Sequence, residues 1–146
     1  MSDLAAPVIQ IAAAVIDDGA GRLLVVRKAG SSWFMLAGGK IEKGELPVDA
    51  LKRELAEEVG FVADDRSLTP LGSFSAPAAN EAGAIVTAEL FHFRTAQTAK
   101  VSAEIAEALW VTASDATSLP LAPLMVSHVL PLLAARGISS GDCAGG

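Results

Sequence analysis

The stretch from Gly38 to Phe61 constrains this chain more than any other part of it. Gly38, Gly39 and Gly44 make Gly38 to Glu45 a glycine-rich loop, able to turn tightly and to approach a phosphate closely. Pro47 then opens a helical pattern, because a proline's missing N–H costs nothing in the first turn. At about 100° of rotation per residue, Val48, Leu51, Leu55 and Val59 fall on one stripe. The stripe predicts a helix that turns one side to a core. The helix should run to about Glu58, with Gly60 ending it in a left-handed cap.

Glu54, Glu57 and Glu58 fall on an adjoining arc of that helix, at spacings that make them surface neighbours. The arrangement is poor for stability. Like charges one turn apart cost a few tenths of a kcal/mol per pair. Carboxylates near a helix C-terminus also meet the negative end of the macrodipole. A divalent cation removes both penalties, and clustered carboxylates suit the hard ions Mg²⁺ and Mn²⁺. Taken alone, the triplet is explained equally well as a solvated face with Lys52 and Arg53 as ion-pair partners.

The rest of the chain supplies a scaffold. Val8 to Asp17, rich in Ile, Val and Ala, reads as a buried strand. Asp18 to Gly21 is a turn, and Arg22 to Lys28 is the return strand of a hairpin. Trp33 to Leu36 is a short apolar piece. Leu68 to Ala76 and Ala84 to Arg94 read as strands joined by the loop Pro77 to Gly83. Ala108 to Thr112 is a further strand around Trp110, and Leu121 to Ala135 has helical periodicity. Strands interrupted by two helices predict an α/β protein with a mixed sheet covered by helices. Its 146 residues contain no repeat and no internal linker. They suffice for one core, expected over residues 1–136, with a flexible tail over 137–146.

Charge narrows the partners. The net charge is −6 and no Lys/Arg cluster is present, which argues against binding duplex nucleic acid. An acidic protein can still take a phosphorylated substrate if metal ions supply the positive charge. The longest apolar stretch, Ile11 to Ile16, is too short to span a bilayer, so no membrane partner is expected. Met1 to Leu4 lack the basic start of a secretion signal. The single cysteine, Cys143, allows no intramolecular disulfide, in keeping with a reducing cytoplasm.

Gly39 is followed after five residues by Glu45, and seven further residues lead to Arg53-Glu54-Leu55-Ala56-Glu57-Glu58-Val59-Gly60-Phe61. This spacing resembles the signature of the Nudix hydrolases, the MutT-like family, with Phe61 where an aliphatic residue is usual. The strand pattern on either side resembles the family over nearly the whole chain. The resemblance implies a Nudix-type α/β/α sandwich with a mixed β-sheet. It implies a Mg²⁺-dependent hydrolase, Mn²⁺ being a possible substitute, that cleaves the diphosphate linkage of a nucleoside diphosphate derivative. Glu54, Glu57 and Glu58 match the metal-binding carboxylates, and Gly38 would add a backbone carbonyl. Arg53 resembles the arginine that orients a catalytic glutamate, and Glu45 a brace between loop and helix. Gly39 would let the backbone approach the substrate phosphate. Glu104, six residues before Trp110, resembles an accessory metal-site glutamate, with Glu81 and Glu107 as alternatives. The base that activates water stays open between a box glutamate and a carboxylate of a later loop. Ala37 stands where relatives often have proline, which removes no functional group.

Other residues have two readings. Arg27, with Lys28 next to it, is either a phosphate contact or a surface strand end. Trp33 and Phe34 either stack on a base or belong to the core. Asn80, the only asparagine, either forms the turn or reads the substrate. His92 and His128 read as satisfied, partly buried histidines. The resemblance implies a small nucleotide as substrate. Pro77 leaves an ADP-ribose or sugar-nucleotide pyrophosphatase as an alternative. The sequence Pro120-Leu121-Ala122-Pro123 lacks the asparagine that relatives cleaning oxidised purine triphosphates often carry there, and the chain has no tyrosine for a dinucleoside polyphosphate hydrolase of one group. A non-catalytic nucleotide-sensing module is a further alternative, disfavoured by the intact carboxylates. An isoprenoid diphosphate isomerase would need a cysteine within the fold. Small family members are commonly homodimers, so the resemblance makes a homodimer possible.

Overall fold

The structure is a computed structural model and describes residues 7–136. Its organising strand is β1 (Val8–Asp17). Ala12, Ala14 and Ile16 point to one face of the sheet and Ala13 and Val15 to the other, all of them fully buried. Strand β2 (Leu23–Lys28) divides likewise, with Leu24 and Val26 against Leu23 and Val25. A strand buried on both faces reads as a continuous apolar run, which is why these two segments lack polar alternation.

β1 runs parallel to β6 (Ile85–Arg94), from Val8 opposite Ile85 to Asp17 opposite Arg94. β6 in turn pairs antiparallel with β5 (Thr69–Pro77) at the sheet edge. On its other side β1 pairs with β4 (Ala37–Lys40), Ala12 lying opposite Gly39 and Ala13 opposite Gly38. β2 carries β3 (Phe34–Met35) on one edge and β7 (Ile105–Val111) on the other. The result is a mixed seven-stranded sheet.

Each face has its own core. Under helix α1 (Pro47–Val59), Ala50, Leu51, Leu55 and Val59 pack on the even-numbered β1 residues. Phe61 joins them, fully buried, its ring tilted against Phe93 at a centroid distance of 6.3 Å. The opposite core is closed by Leu121, Leu124, Met125, Val129 and Leu133. Helices on both faces make this an α/β/α sandwich around a mixed sheet.

Two local expectations change. β1 and β2 do not form an extended hairpin: they pair only at Asp17 and Leu23, because β4 takes residues 11–14 of that edge. The segment after Leu36 is not loop from the start, since Gly38, Gly39 and Lys40 are strand residues. A Cβ on Gly38 would lie 2.2 Å from the Ala12 carbonyl oxygen, so glycine is what allows β4 this close to β1.

The last helical stretch is also interrupted. A π-turn over Met125–Val129 precedes α3 (Leu130–Arg136). Pro131 has no N–H to donate and its ring crowds the carbonyl one turn back, which the wider turn accommodates. A single-turn α2 (Ala113–Ala116), capped by the Thr112 hydroxyl accepting from Asp115 N at 3.0 Å, and a 3₁₀ turn over Asp65–Ser67 were not legible beforehand. The expected tail over 137–146, with Cys143, lies outside the described residues. Among the described residues no helix is long and apolar enough to cross a membrane.

Candidate active site

Helix α1 begins at Pro47 in its first turn and ends at Gly60, whose φ of 72° is left-handed. Its last carbonyls are satisfied by the irregular segment between β6 and β7: Lys100 N donates to Val59 O at 2.8 Å and Ser102 N to Glu58 O at 3.0 Å. This wrapping brings the segment leading into β7, and with it Glu104, to the acidic end of the helix.

The three glutamates occupy different environments. Glu58 is 2% exposed and sits in the core layer between α1 and the sheet. One carboxylate oxygen accepts from Gly38 N at 3.1 Å, and the other lies 3.8 Å from Lys28 Nζ. Burial pushes its pKa up to about 7; Gly38 and Lys28 oppose the rise, while the charges of Glu54 and Glu104 add to it. Glu54 lies under Gly39, where a Cβ would fall 2.4 Å from the Glu54 carboxyl carbon. Glu57 is the most open of the three, 60% exposed.

Arg53 organises this end of the site. Its Nε and one terminal nitrogen both bond Glu45, each at 2.9 Å, and the same terminal nitrogen reaches Lys40 O at 3.1 Å. The other terminal nitrogen bonds Glu54 at 2.7 Å and lies 3.7 Å from Glu57. The guanidinium fork thus ties the loop to the helix and fixes Glu54 at once. The bonds from Arg53, and then that from the Glu42 backbone, hold the Glu45 carboxyl down to about 2, and Arg53 is raised in turn, first by Glu45 and then by Glu54.

A cavity of about 210 Å³ opens next to this cluster. Lys28, Gly38, Gly39 and Lys40 line it from the β2 and β4 side, and Asn80 and Glu81 from the turn between β5 and β6. Most of the remaining wall is apolar, including Ile9, Ile11, Met35, Leu36, Val86 and Leu124.

Against the sequence-based candidates, Glu54, Glu58, Gly38 and Gly39 come together, and Glu104 is close enough for its charge to act on Glu58. Arg27 does not line the cavity. It bonds Glu107 at 3.0 Å and the Ser31 carbonyl at 2.9 Å, with its guanidinium carbon 6.0 Å from the centre of the Phe34 ring. Lys28 faces the site instead. Strand parity could have found it, since Lys28 shares a face with Leu24 and Val26, which pack under α1. Phe34 is core and Trp33 lies outside the cavity lining. His92 bonds Asp17, and His128 bonds the Ser75 carbonyl at 2.9 Å.

The side chains that Glu54, Glu57 and Glu58 offer on this helix are all carboxylates, whose oxygens suit a hard divalent cation. Among the described residues no three His, Cys, Asp or Glu side chains converge on one point as they stand. Arg53 holds Glu54 and lies 3.7 Å from the exposed Glu57.

This fold and this helix belong to one class. The NUDIX domain matches residues 8–133, and the chain is a member of that family, whose enzymes hydrolyse acid anhydrides and use divalent metal ions. Over 138 residues it is 30% identical to the CTP pyrophosphohydrolase of Escherichia coli, covering 92% of this chain and 98% of that one. Over 74 residues it is 36% identical to the 8-oxo-dGTP diphosphatase of Haemophilus influenzae, covering 48% of this chain and 54%, about half, of that relative. The fold superposes on the MutT protein from Methanosarcina mazei Go1 with a TM-score of 0.75 and 21% identity, over 91% of this chain and 97% of that one.

Proposed function

We propose that the chain cleaves the diphosphate linkage of a nucleoside diphosphate derivative, a nucleoside triphosphate first among them, with Mg²⁺ or Mn²⁺. The observation that carries this reading is the placement of Glu54 and Glu58 against Gly38 and Gly39, two glycines that line a cavity together with Lys28 and Lys40. The nucleoside triphosphates named for the two curated relatives support that choice of substrate class over ADP-ribose.

Glu54, Glu57 and Glu58, with the Gly38 carbonyl, would hold the metal. When bound, it neutralises phosphate oxygens and acidifies the attacking water. The chain itself mainly positions and balances charge, as phosphoryl chemistry requires. Lys28 and Lys40 attract the phosphates into the cavity. Arg53 keeps Glu54 in one orientation. A box glutamate is the first candidate to take a proton from the attacking water, and Glu58 would bind the ion as a carboxylate, 3.8 Å from Lys28 Nζ. Glu104 acts on Glu58 through its charge and is a second candidate to take a proton from water. A sensing module that binds without cutting is disfavoured by the complete set of carboxylates. The domain is proposed to span residues 1–136.

The test is turnover of a nucleotide panel with Mg²⁺ or Mn²⁺, following phosphate, pyrophosphate and mononucleotide release. Glu57→Gln should lower kcat by at least about 10²-fold while leaving the melting temperature near that of the native protein, since Glu57 is exposed. Full activity in that variant would remove the assignment.

A further inference from the structure

Lys28 meets two parts of the site at once. It ends β2, where the pairing with β7 slips by one residue: Arg27 lies opposite Glu107, but Lys28 lies opposite Ile105. The main chain is fixed there, since Ala29 N donates to Glu104 O at 2.8 Å. The side chain is freer, 41% exposed. Its Nζ lies 3.8 Å from Glu58 Oε2, beyond hydrogen-bond length, so charge alone joins the two. Among the described residues it is the one cation paired with Glu58, whose other charged neighbours, Glu54 and Glu104, are negative. The other Glu58 oxygen is taken by Gly38 N. Lys28 also lines the cavity.

Resting on the hydrolase reading for the ion, we propose that Lys28 is a positioning residue that competes with the divalent cation for Glu58 and, once displaced, turns its charge to a phosphate in the cavity. Two cations against one carboxylate oxygen repel each other over a few ångströms. The exchange involves Oε2 alone, because the bond from Gly38 keeps the carboxyl group in place throughout. An ammonium on a flexible four-carbon stem, held by charge and not by a fixed hydrogen bond, can make that turn. The consequence is linkage: the ion binds weakly alone and more strongly with a phosphate present to draw Lys28 away, and each favours the other.

The test is calorimetry of Mn²⁺ alone, with no nucleotide, at pH 8. Lys28→Met keeps the stem, removes the charge and should bind Mn²⁺ about 10-fold more tightly than the native protein, a modest gain because water screens so exposed a cation. Lys28→Gln, better suited to the exposed position, should match it. Lys28→Arg keeps the charge and should stay within about twofold of the native protein. The KM for a nucleoside triphosphate should move the opposite way, rising about 10-fold in Lys28→Met as the phosphate loses a partner. A residue that only supported the fold would weaken ion and nucleotide together. Unchanged or weaker Mn²⁺ binding by Lys28→Met and Lys28→Gln, equal tightening by Lys28→Arg, or an unchanged KM overturns the inference and leaves the hydrolase reading intact. Tighter Mn²⁺ binding by the uncharged variants without turnover of any nucleotide sustains the competition for Glu58 and overturns the hydrolase reading. Absence of Mn²⁺ binding by the native protein and every variant overturns both.

Discussion

Replacing Glu58 by glutamine should make the metal-free protein more stable at pH 8. The side chain is 2% exposed, and its pKa rises from the ordinary 4.5 to about 7. Keeping it ionised in the fold therefore costs about 3 kcal/mol, at 1.36 kcal/mol for each unit of pKa. Between pH 4.5 and about 7 the unfolded chain loses this proton while the folded chain keeps it, so stability falls across that window and is level above it. Glutamine keeps the shape of the neutral carboxyl and can still accept from Gly38 N, but has no charge to desolvate. At pH 8 in chelator the variant should melt about 10 °C above the native protein, taking roughly 3 °C per kcal/mol for a chain of this size. Near pH 4.5 most of the gap should close. The assay is thermal unfolding at several pH values with EDTA, read by circular dichroism. A variant that melts at or below the native temperature at pH 8, or a gap that does not change with pH, would refute the claim that burial outweighs Gly38 and Lys28 at Glu58. The same variant should lose turnover, because the strain it relieves is what a cation would otherwise relieve.

Two further substitutions separate roles that lie side by side. Gly38→Ala would drive a Cβ to 2.2 Å from the Ala12 carbonyl and 2.6 Å from the Ala13 Cα, both backbone atoms, and should destabilise by about 3 kcal/mol or more, seen in urea unfolding. Gly39→Ala would instead push the Glu54 carboxylate, its nearest neighbour, off Arg53, so it should destabilise less than Gly38→Ala does yet lose Mn²⁺ affinity, measured by calorimetry. Equal effects of the two on stability would count against the packing described. Arg53→Lys should lower kcat by about 10²-fold, because an ammonium cannot span Glu45, Glu54 and the Lys40 carbonyl together. An unchanged kcat would show that Glu54 needs no such support.

The helix was legible because everything that makes it a helix is local. Pro47 at its start, the Leu51–Leu55–Val59 stripe and the Gly60 cap act over one turn at a time, and the structure places them so. The buried strands were legible for a similar reason, as apolar runs in β1 and β2. Pairing was less so. Nothing in residues 8–28 says that β4 will occupy the edge of β1 before β2 can, since β1 and β4 pair across more than twenty residues of chain.

The sequence by itself determined which residues could carry the chemistry: the box spacing put Glu54, Glu57 and Glu58 on one helix and glycines ahead of it. Only the tertiary structure decided what each can do there. On an isolated helix the three carboxylates are near equivalents. Packing against β4 buries Glu58 under Gly38, clamps Glu54 to Arg53 and leaves Glu57 in solvent. It also turns Lys28, rather than Arg27, toward the cavity and brings Asn80 to Ser31 across 49 residues. A pKa and a binding surface depend on dielectric and on neighbours distant in the chain, and those exist only once the sheet has closed.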